Sequence, residues 1–114
     1  LVVIGIPSNN FGNQEPGTND TIKEFCELTY DVSFPMMSKM NVTGKNISDL
    51  YKFITNKTIH PKTGGKITWN FNKFLINQSG QIVKRYSSFK KPLSKEILAD
   101  INQLILKKSE IHIN

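Results

Sequence analysis

The first six residues, LVVIGI, constrain this chain more than any other stretch: an unbroken apolar run, partly β-branched, closed by Pro7. That is the profile of a strand buried on both faces, as in parallel or mixed sheets with helices at their sides. A strand of this type needs neighbours on either side, and the run stands at the very start of the sequence, without Met. We therefore expect the N-terminal part of the natural domain to lie upstream of Leu1. The run leads straight into "PSNNFGNQEPG", dense in amides and turn formers and short of charge. In an open α/β sheet, sites form in the loops beyond the carboxyl ends of strands. The amides of Asn9, Asn10, Asn13 and Gln14 can donate hydrogen bonds there without titrating, which suits a site holding a thiolate or a developing oxyanion. The same residues are also ordinary turn formers, and for the segment alone that is the simpler reading.

Downstream, Thr18 is a suitable N-cap with Asp20 in the first turn, and Ile22, Phe25 and Cys26 repeat at helical spacing. The pattern predicts a helix over about 19–30. "DVSFPMMSKMNV" reads as extended, with Pro35 fixing a non-helical entry. After a turn at Gly44, the positions Ile47, Leu50, Tyr51 and Ile54 predict a second helix over about 46–55. Residues 56–66 are a polar loop with Pro61 and Gly64-Gly65. "ITWNFNKFLINQSGQIVKRYSS" predicts a strand, a turn at Gln78-Ser79-Gly80 and a returning strand, an antiparallel hairpin. Ser94 and Glu96 open a last helix with an apolar stripe of Ile97, Ile101, Leu104 and Ile105, fraying over its final residues. The order β-α-β-α-β-β-α makes an α/β domain, one mixed sheet flanked by helices, and 114 residues suffice for a single domain over 1–114.

Several function classes recede on composition. The net charge is +6, but the lysines are interleaved with acids, which reads as a solvated surface rather than a nucleic-acid footprint. No run is long enough to span a membrane, so stable membrane insertion is not expected. One cysteine, Cys26, allows no internal disulfide and no thiolate cluster, and His60 and His112 lack ligand spacing. Metal binding is not expected. The five N-x-S/T triplets follow from an Asn-rich composition and are not read as glycosylation sites.

Two further places can carry chemistry. Trp69-Asn70 sets an indole N–H donor beside an amide near a strand end, although a tryptophan also simply fills cores. Cys26, mid-helix and away from any helix N-terminus, has nothing to depress its pKa and is a poor primary nucleophile. It packs like a small hydrophobe, or it serves as a second thiol that resolves an oxidised partner, a role that does not require an acidic thiol.

Taken in order, "IPSNNFGNQEPGTNDTIKEFC", "YDVSFPMMSKMNVTGKN", "LYKFI" and "ITWNFNKFLINQSGQIVKRY" resemble the glutathione peroxidase family of the thioredoxin-like superfamily. The resemblance runs from residue 1 to about 107, and its most specific parts are the F-P-[CS]-N-Q-F-G-x-Q-E-P-G segment and W-N-F-x-K-F. It implies a thioredoxin-like fold and an enzyme that reduces hydrogen peroxide and organic or lipid hydroperoxides with a cysteine or selenocysteine. That residue sits in a V-A-S-x-C/U-G-type motif, absent from this chain and expected upstream with one strand, the active-site loop and the first helix. The resemblance makes Trp69 and Asn70 partners of the reacting sulfur. The family's Gln is replaced by Asn10, and the Phe before it by Ile6. Asn carries the same amide with about 1.5 Å less reach at most, so a weaker hold on the sulfur is expected.

Cys26 falls at the resolving cysteine of the thioredoxin-dependent members. By that resemblance a sulfenic acid on the missing cysteine condenses with Cys26, the helix unwinding locally, and thioredoxin reduces the disulfide, with glutathione as the alternative reductant. No prosthetic group is implied, only a thiol co-substrate. The short 56–66 connection resembles the monomeric members, and the cytoplasm is the default compartment. The 114 residues alone are expected to run no peroxidase cycle. The alternative is a catalytically inactive remnant, at most a thioredoxin-like binding module.

Overall fold

In the computed structural model the described residues are 1–12, 17–23 and 34–113, with side chains described as far as residue 106. The first helix described over its whole length, α1, spans Asp49–Ile54. It starts where Ser48, in extended conformation, turns its hydroxyl to accept the Tyr51 N–H at 3.4 Å, and Asp49 in the first turn suits the helix dipole. Tyr51 and Ile54, three residues apart and so on one face, are its buried side chains. The helix is shorter than the predicted 46–55 because this cap fixes its start.

Residues 56–65 then turn tightly under it. The Gly65 N–H donates to the Thr55 carbonyl at 2.7 Å, and a Cβ on Gly64 would meet the His60 carbonyl at 2.6 Å. No side chain fits there, so glycine is required at position 64.

Strand β1, Lys73–Ile76, pairs antiparallel with β2, Ile82–Tyr86; Lys73 faces Tyr86, Phe74 faces Arg85 and Leu75 faces Lys84. The turn between them closes on Asn77, whose Oδ1 accepts the N–H groups of Ser79 and Gln81 at 3.0 and 2.9 Å, with Gly80 at positive φ. The hairpin is therefore as predicted, but its first strand begins six residues later than Ile67. Residues 67–72 are irregular. Phe71 takes a left-handed φ of 60°, which a pleated strand cannot continue through, and Asn72 folds back to donate to the Trp69 carbonyl at 2.7 Å.

Helix α2, Lys95–Ile113, lies against β2. Ile97 and Tyr86 are both buried, and the Tyr86 hydroxyl donates to Asp100 Oδ2 at 2.6 Å. Two expectations are corrected here. The helix does not fray early: its backbone stays helical to Ile113, in a stretch free of Gly and Pro. The apolar stripe is only partly inward, for Ile101 and Leu104 are half-buried while Ile105 is exposed. The helix is about 28 Å long and β2 only about 17 Å, so its second half runs past the strand.

The core gathers Val42, Tyr51, Ile54 and Ile67, with Ile6, Phe11, Met40, Ile47, Phe74 and Ile82 packed around it. It joins the N-terminal segment, α1 and the hairpin. The LVVIGI run departs from expectation. Gly5 forms a parallel bridge with Met36, and the Met40 N–H reaches the Pro7 carbonyl at 3.0 Å, so 5–7 does lie along 35–40. Leu1 to Ile4, however, are exposed, from 85% down to 50%, instead of buried on both faces. Burial requires covering elements: Ile6, at the end of the run, packs on the core, and the run's strand pairing, through Gly5, is with the 34–40 segment. Of the helix predicted over 19–30, residues 19–23 are helical, capped by Thr18 and anchored by buried Ile22. The rest, with Phe25 and Cys26, lies outside the described residues.

Candidate functional site

Two loops meet on the exposed side of this core. The first, residues 7–12, is secured by the Asn10 side chain. Its Oδ1 accepts the Val42 N–H at 2.7 Å and the Ser8 hydroxyl at 2.8 Å, and its Nδ2 donates to Asn41 Oδ1 at 3.2 Å. Asn41 in turn donates to the Asn46 carbonyl at 3.3 Å. The Asn10 carboxamide thus ties the first loop to the Asn41 side chain and the Val42 backbone, and Phe11 turns inward while Gly12 reverses the chain at φ 63°.

The second loop, residues 66–72, leaves the core at Ile67, which is 2% exposed, and carries Trp69 and Asn70 back over the first. The Trp69 and Phe11 rings lie 5.8 Å apart, tilted by 46°, and Asn70 Nδ2 donates to the Phe11 carbonyl at 3.4 Å. Trp69 remains 46% exposed and Asn70 half-buried, so an indole and a carboxamide stand at the rim of the seam between the loops. Of the residues singled out in the sequence, Trp69 and Asn70 meet Phe11, the chain neighbour of Asn10, while the Asn10 side chain itself is turned to Ser8 and to residues 41–42. Cys26 lies outside the described residues.

The ends of the second loop are held by cations. Lys73 Nζ donates to the Phe71 carbonyl at 2.7 Å and to that of Ser87 at 3.4 Å, and burial lowers its pKa. The Arg85 guanidinium reaches the carbonyls of Gly65 and Lys66 at 2.7 and 3.1 Å, and Asn72 Oδ1 at 3.4 Å. Neither Arg85 nor Asn41 was found by sequence reasoning. The signal for Arg85 was its being the only arginine in a lysine-rich chain. Asn41 had none, since a partner 31 residues away leaves no local pattern.

Among the described residues, no group of three or more His, Cys, Asp or Glu side chains could hold a metal ion, and no helix is long and apolar enough to cross a membrane. A neutral seam bearing amide and indole donors can stabilise an anion or a polar transition state without titrating itself.

Comparison with known proteins gives a consistent picture. A family model described as glutathione peroxidase matches residues 1–55. The "Glutathione peroxidase-like peroxiredoxin gpx1" of Schizosaccharomyces pombe is 46% identical over 93 residues, 81% of this chain and 58% of its own length. The "Hydroperoxy fatty acid reductase gpx1" of Synechocystis is 47% identical over 110 residues, 92% of this chain and 64% of its own. The "Glutathione peroxidase-like peroxiredoxin HYR1" of Saccharomyces cerevisiae is 42% identical over 110 residues, 96% of this chain and 66% of its own. The chain therefore spans about 58–66% of the length of these curated relatives. A solved structure, described as "Crystal structure of Trgpx in apo form", superposes with a TM-score of 0.57 at 25% identity, covering 91% of this chain and 78% of that one. The likeness bears out the thioredoxin-like fold.

Proposed function

The chain belongs to the glutathione peroxidase family, and from that membership we propose that the whole protein is a thiol peroxidase reducing hydrogen peroxide and organic or lipid hydroperoxides. The observation that carries the proposal is the seam itself, where Asn70 bonds the Phe11 carbonyl and the Trp69 ring lies tilted against that of Phe11 at the rim. In this reading a cysteine or selenocysteine outside the 114 residues attacks the peroxide O–O bond, an alcohol or water leaves, and the sulfur becomes a sulfenic acid or its selenium equivalent. Trp69 and Asn70 donate to the chalcogen as charge develops. Asn10 has most of its carboxamide engaged by Val42, Ser8 and Asn41, which supports a weaker direct hold than a Gln would give. Cys26 then condenses with the oxidised residue, releasing water, and a dithiol of the thioredoxin type reduces the disulfide by exchange.

We propose further that the protein works as a monomer in the cytoplasm, a compartment whose reductants keep single thiols reduced. A second reading, a non-catalytic thioredoxin-like module, draws its support from the same engagement of Asn10. Steady-state peroxide consumption by the whole protein tests both. The expected result is turnover with reduced thioredoxin and arrest after one cycle in Cys26→Ser. Undiminished turnover of that variant overturns the resolving role, and no consumption with either thioredoxin or glutathione favours the second reading.

A further inference from the structure

We infer that Arg85 is a positioning residue whose planar fork sets the place of Trp69 and Asn70. The inference deepens the reading above, since it rests on those two residues forming part of the site.

Arg85 is the only arginine beside fourteen lysines. In a chain that otherwise uses lysine for its positive charge, this position calls for what an ammonium lacks. Its neighbours Lys84 and Tyr86 point the other way, toward α2, as alternation along a strand requires, and both bond Asp100. Arg85 lies on the opposite face, across from Phe74 in the register, with its guanidinium 5.3 Å from the centre of that ring. There it meets neutral oxygens from two directions. Nη1 donates to the carbonyls of Gly65 at 2.7 Å and Thr63 at 3.3 Å. Nη2 donates to the Lys66 carbonyl at 3.1 Å and to Asn72 Oδ1 at 3.4 Å.

The two groups served by Nη2 are the two ends of the second loop. The far end is relayed inward, because Asn72 Nδ2 donates to the Trp69 carbonyl at 2.7 Å. One rigid group therefore fixes the span of 66–72 and, through Asn72, the backbone that carries the indole. A lysine has a single nitrogen on a flexible stem. Its three N–H donors could reach both oxygens that Nη2 serves, but they radiate from one point, with no second nitrogen at a fixed angle to hold the Gly65 and Thr63 carbonyls at the same time and so set a distance. A bond to a charged donor is also stronger than a neutral one, so losing one end is felt locally.

The test uses the chain itself, because Trp69 is its only tryptophan and its fluorescence reports on this loop alone. In Arg85→Lys we expect a red-shifted Trp69 emission, easier quenching by acrylamide, and amide hydrogen exchange at 67–71 accelerated about tenfold. Exchange in α1 should stay unchanged. Asn72→Ala, which cuts only the relayed end, should shift emission in the same direction by less, and it decides the question if Arg85→Lys does not fold. Lys84→Met, on the opposite face, should leave the emission where it is. Unchanged emission and exchange at 67–71 in Arg85→Lys, or, where that variant does not fold, unchanged emission in Asn72→Ala, overturns the proposal. So does acceleration spread evenly over α1 and the hairpin, which would make Arg85 a general stabiliser. A whole protein without peroxidase activity refutes the functional reading but leaves the fluorescence result standing, so the two failures are told apart.

Discussion

The two faces of the hairpin are held by different chemistry. Toward α2, Lys84 bonds Asp100 at 2.9 Å and Glu96 at 3.3 Å, Lys90 bonds Glu96 at 2.5 Å, and the Tyr86 hydroxyl completes Asp100. Toward the second loop, the partners of Arg85 among the described residues are neutral oxygens. One attachment is titratable and screened by salt; the other keeps its charge at every ordinary pH and, among the described residues, bonds no opposing charge. The difference teaches that the helix can loosen without disturbing the loop that carries Trp69 and Asn70.

The largest way to break this comparison is to strike the core beneath the loop. Ile67→Ala should destabilise by about 2–5 kcal/mol, read from denaturant unfolding, because Ile67 is 2% exposed and its removal leaves a cavity. A loss near zero would mean that the loop is held by its hydrogen bonds alone. Next in size is Asn10→Ala, which leaves the Val42 N–H without its acceptor and should cost about 1–2 kcal/mol. Tyr86→Phe should cost about 1 kcal/mol and leave Trp69 emission unchanged; a shifted emission would show the two faces to be coupled.

The smallest and sharpest test is pH. Hydrogen bonds from Tyr86 and then Lys84 hold the Asp100 carboxyl below its usual pKa, and Lys90 and then Lys84 do so for Glu96. Groups with depressed folded pKa values contribute stability above their unfolded values, near 4, and lose it as pH falls through the folded ones. Acid should therefore favour detachment of α2 below about pH 4, and moderate salt should weaken the same face. Lys84 works at the other end: its pKa is raised, chiefly by Asp100, so its contribution persists below the unfolded value and disappears as pH rises through the folded one. Helix melting followed by circular dichroism at pH 6 and pH 3 checks the acid limb. A Trp69 emission that moves together with the helix signal would contradict the separation of the two faces.

Much of this arrangement was legible in the sequence. The hairpin turn could be read because Asn77 and Gly80 act locally, and α1 because Ser48 and its apolar spacing lie within one turn. The meeting of the first loop with Trp69-Asn70 came from the family resemblance, as no local pattern links residues 59 apart. The exposure of Leu1 to Ile4 was not legible, since an apolar run records what a strand can bury and not what covers it. Nor was the late start of β1: the positive φ of Phe71 belongs to a residue type that gives no warning of it. The acceptors of Arg85 are mostly backbone carbonyls, which every residue possesses, so only the oddity of a lone arginine hinted at them.

One consequence of the Asn10 side chain concerns the path of the chain. Residues 5–7 lie along 35–40 through peptide groups, with Met37 donating to Gly5 and Met40 to Pro7. At Val42 the next rung is supplied by the Asn10 carboxamide, a peptide group in miniature mounted on a side chain. The ladder thus continues past the point where the main chain has left it. Phe11 and Gly12 are released to turn a corner toward the indole, and the buried N–H they leave behind is still answered.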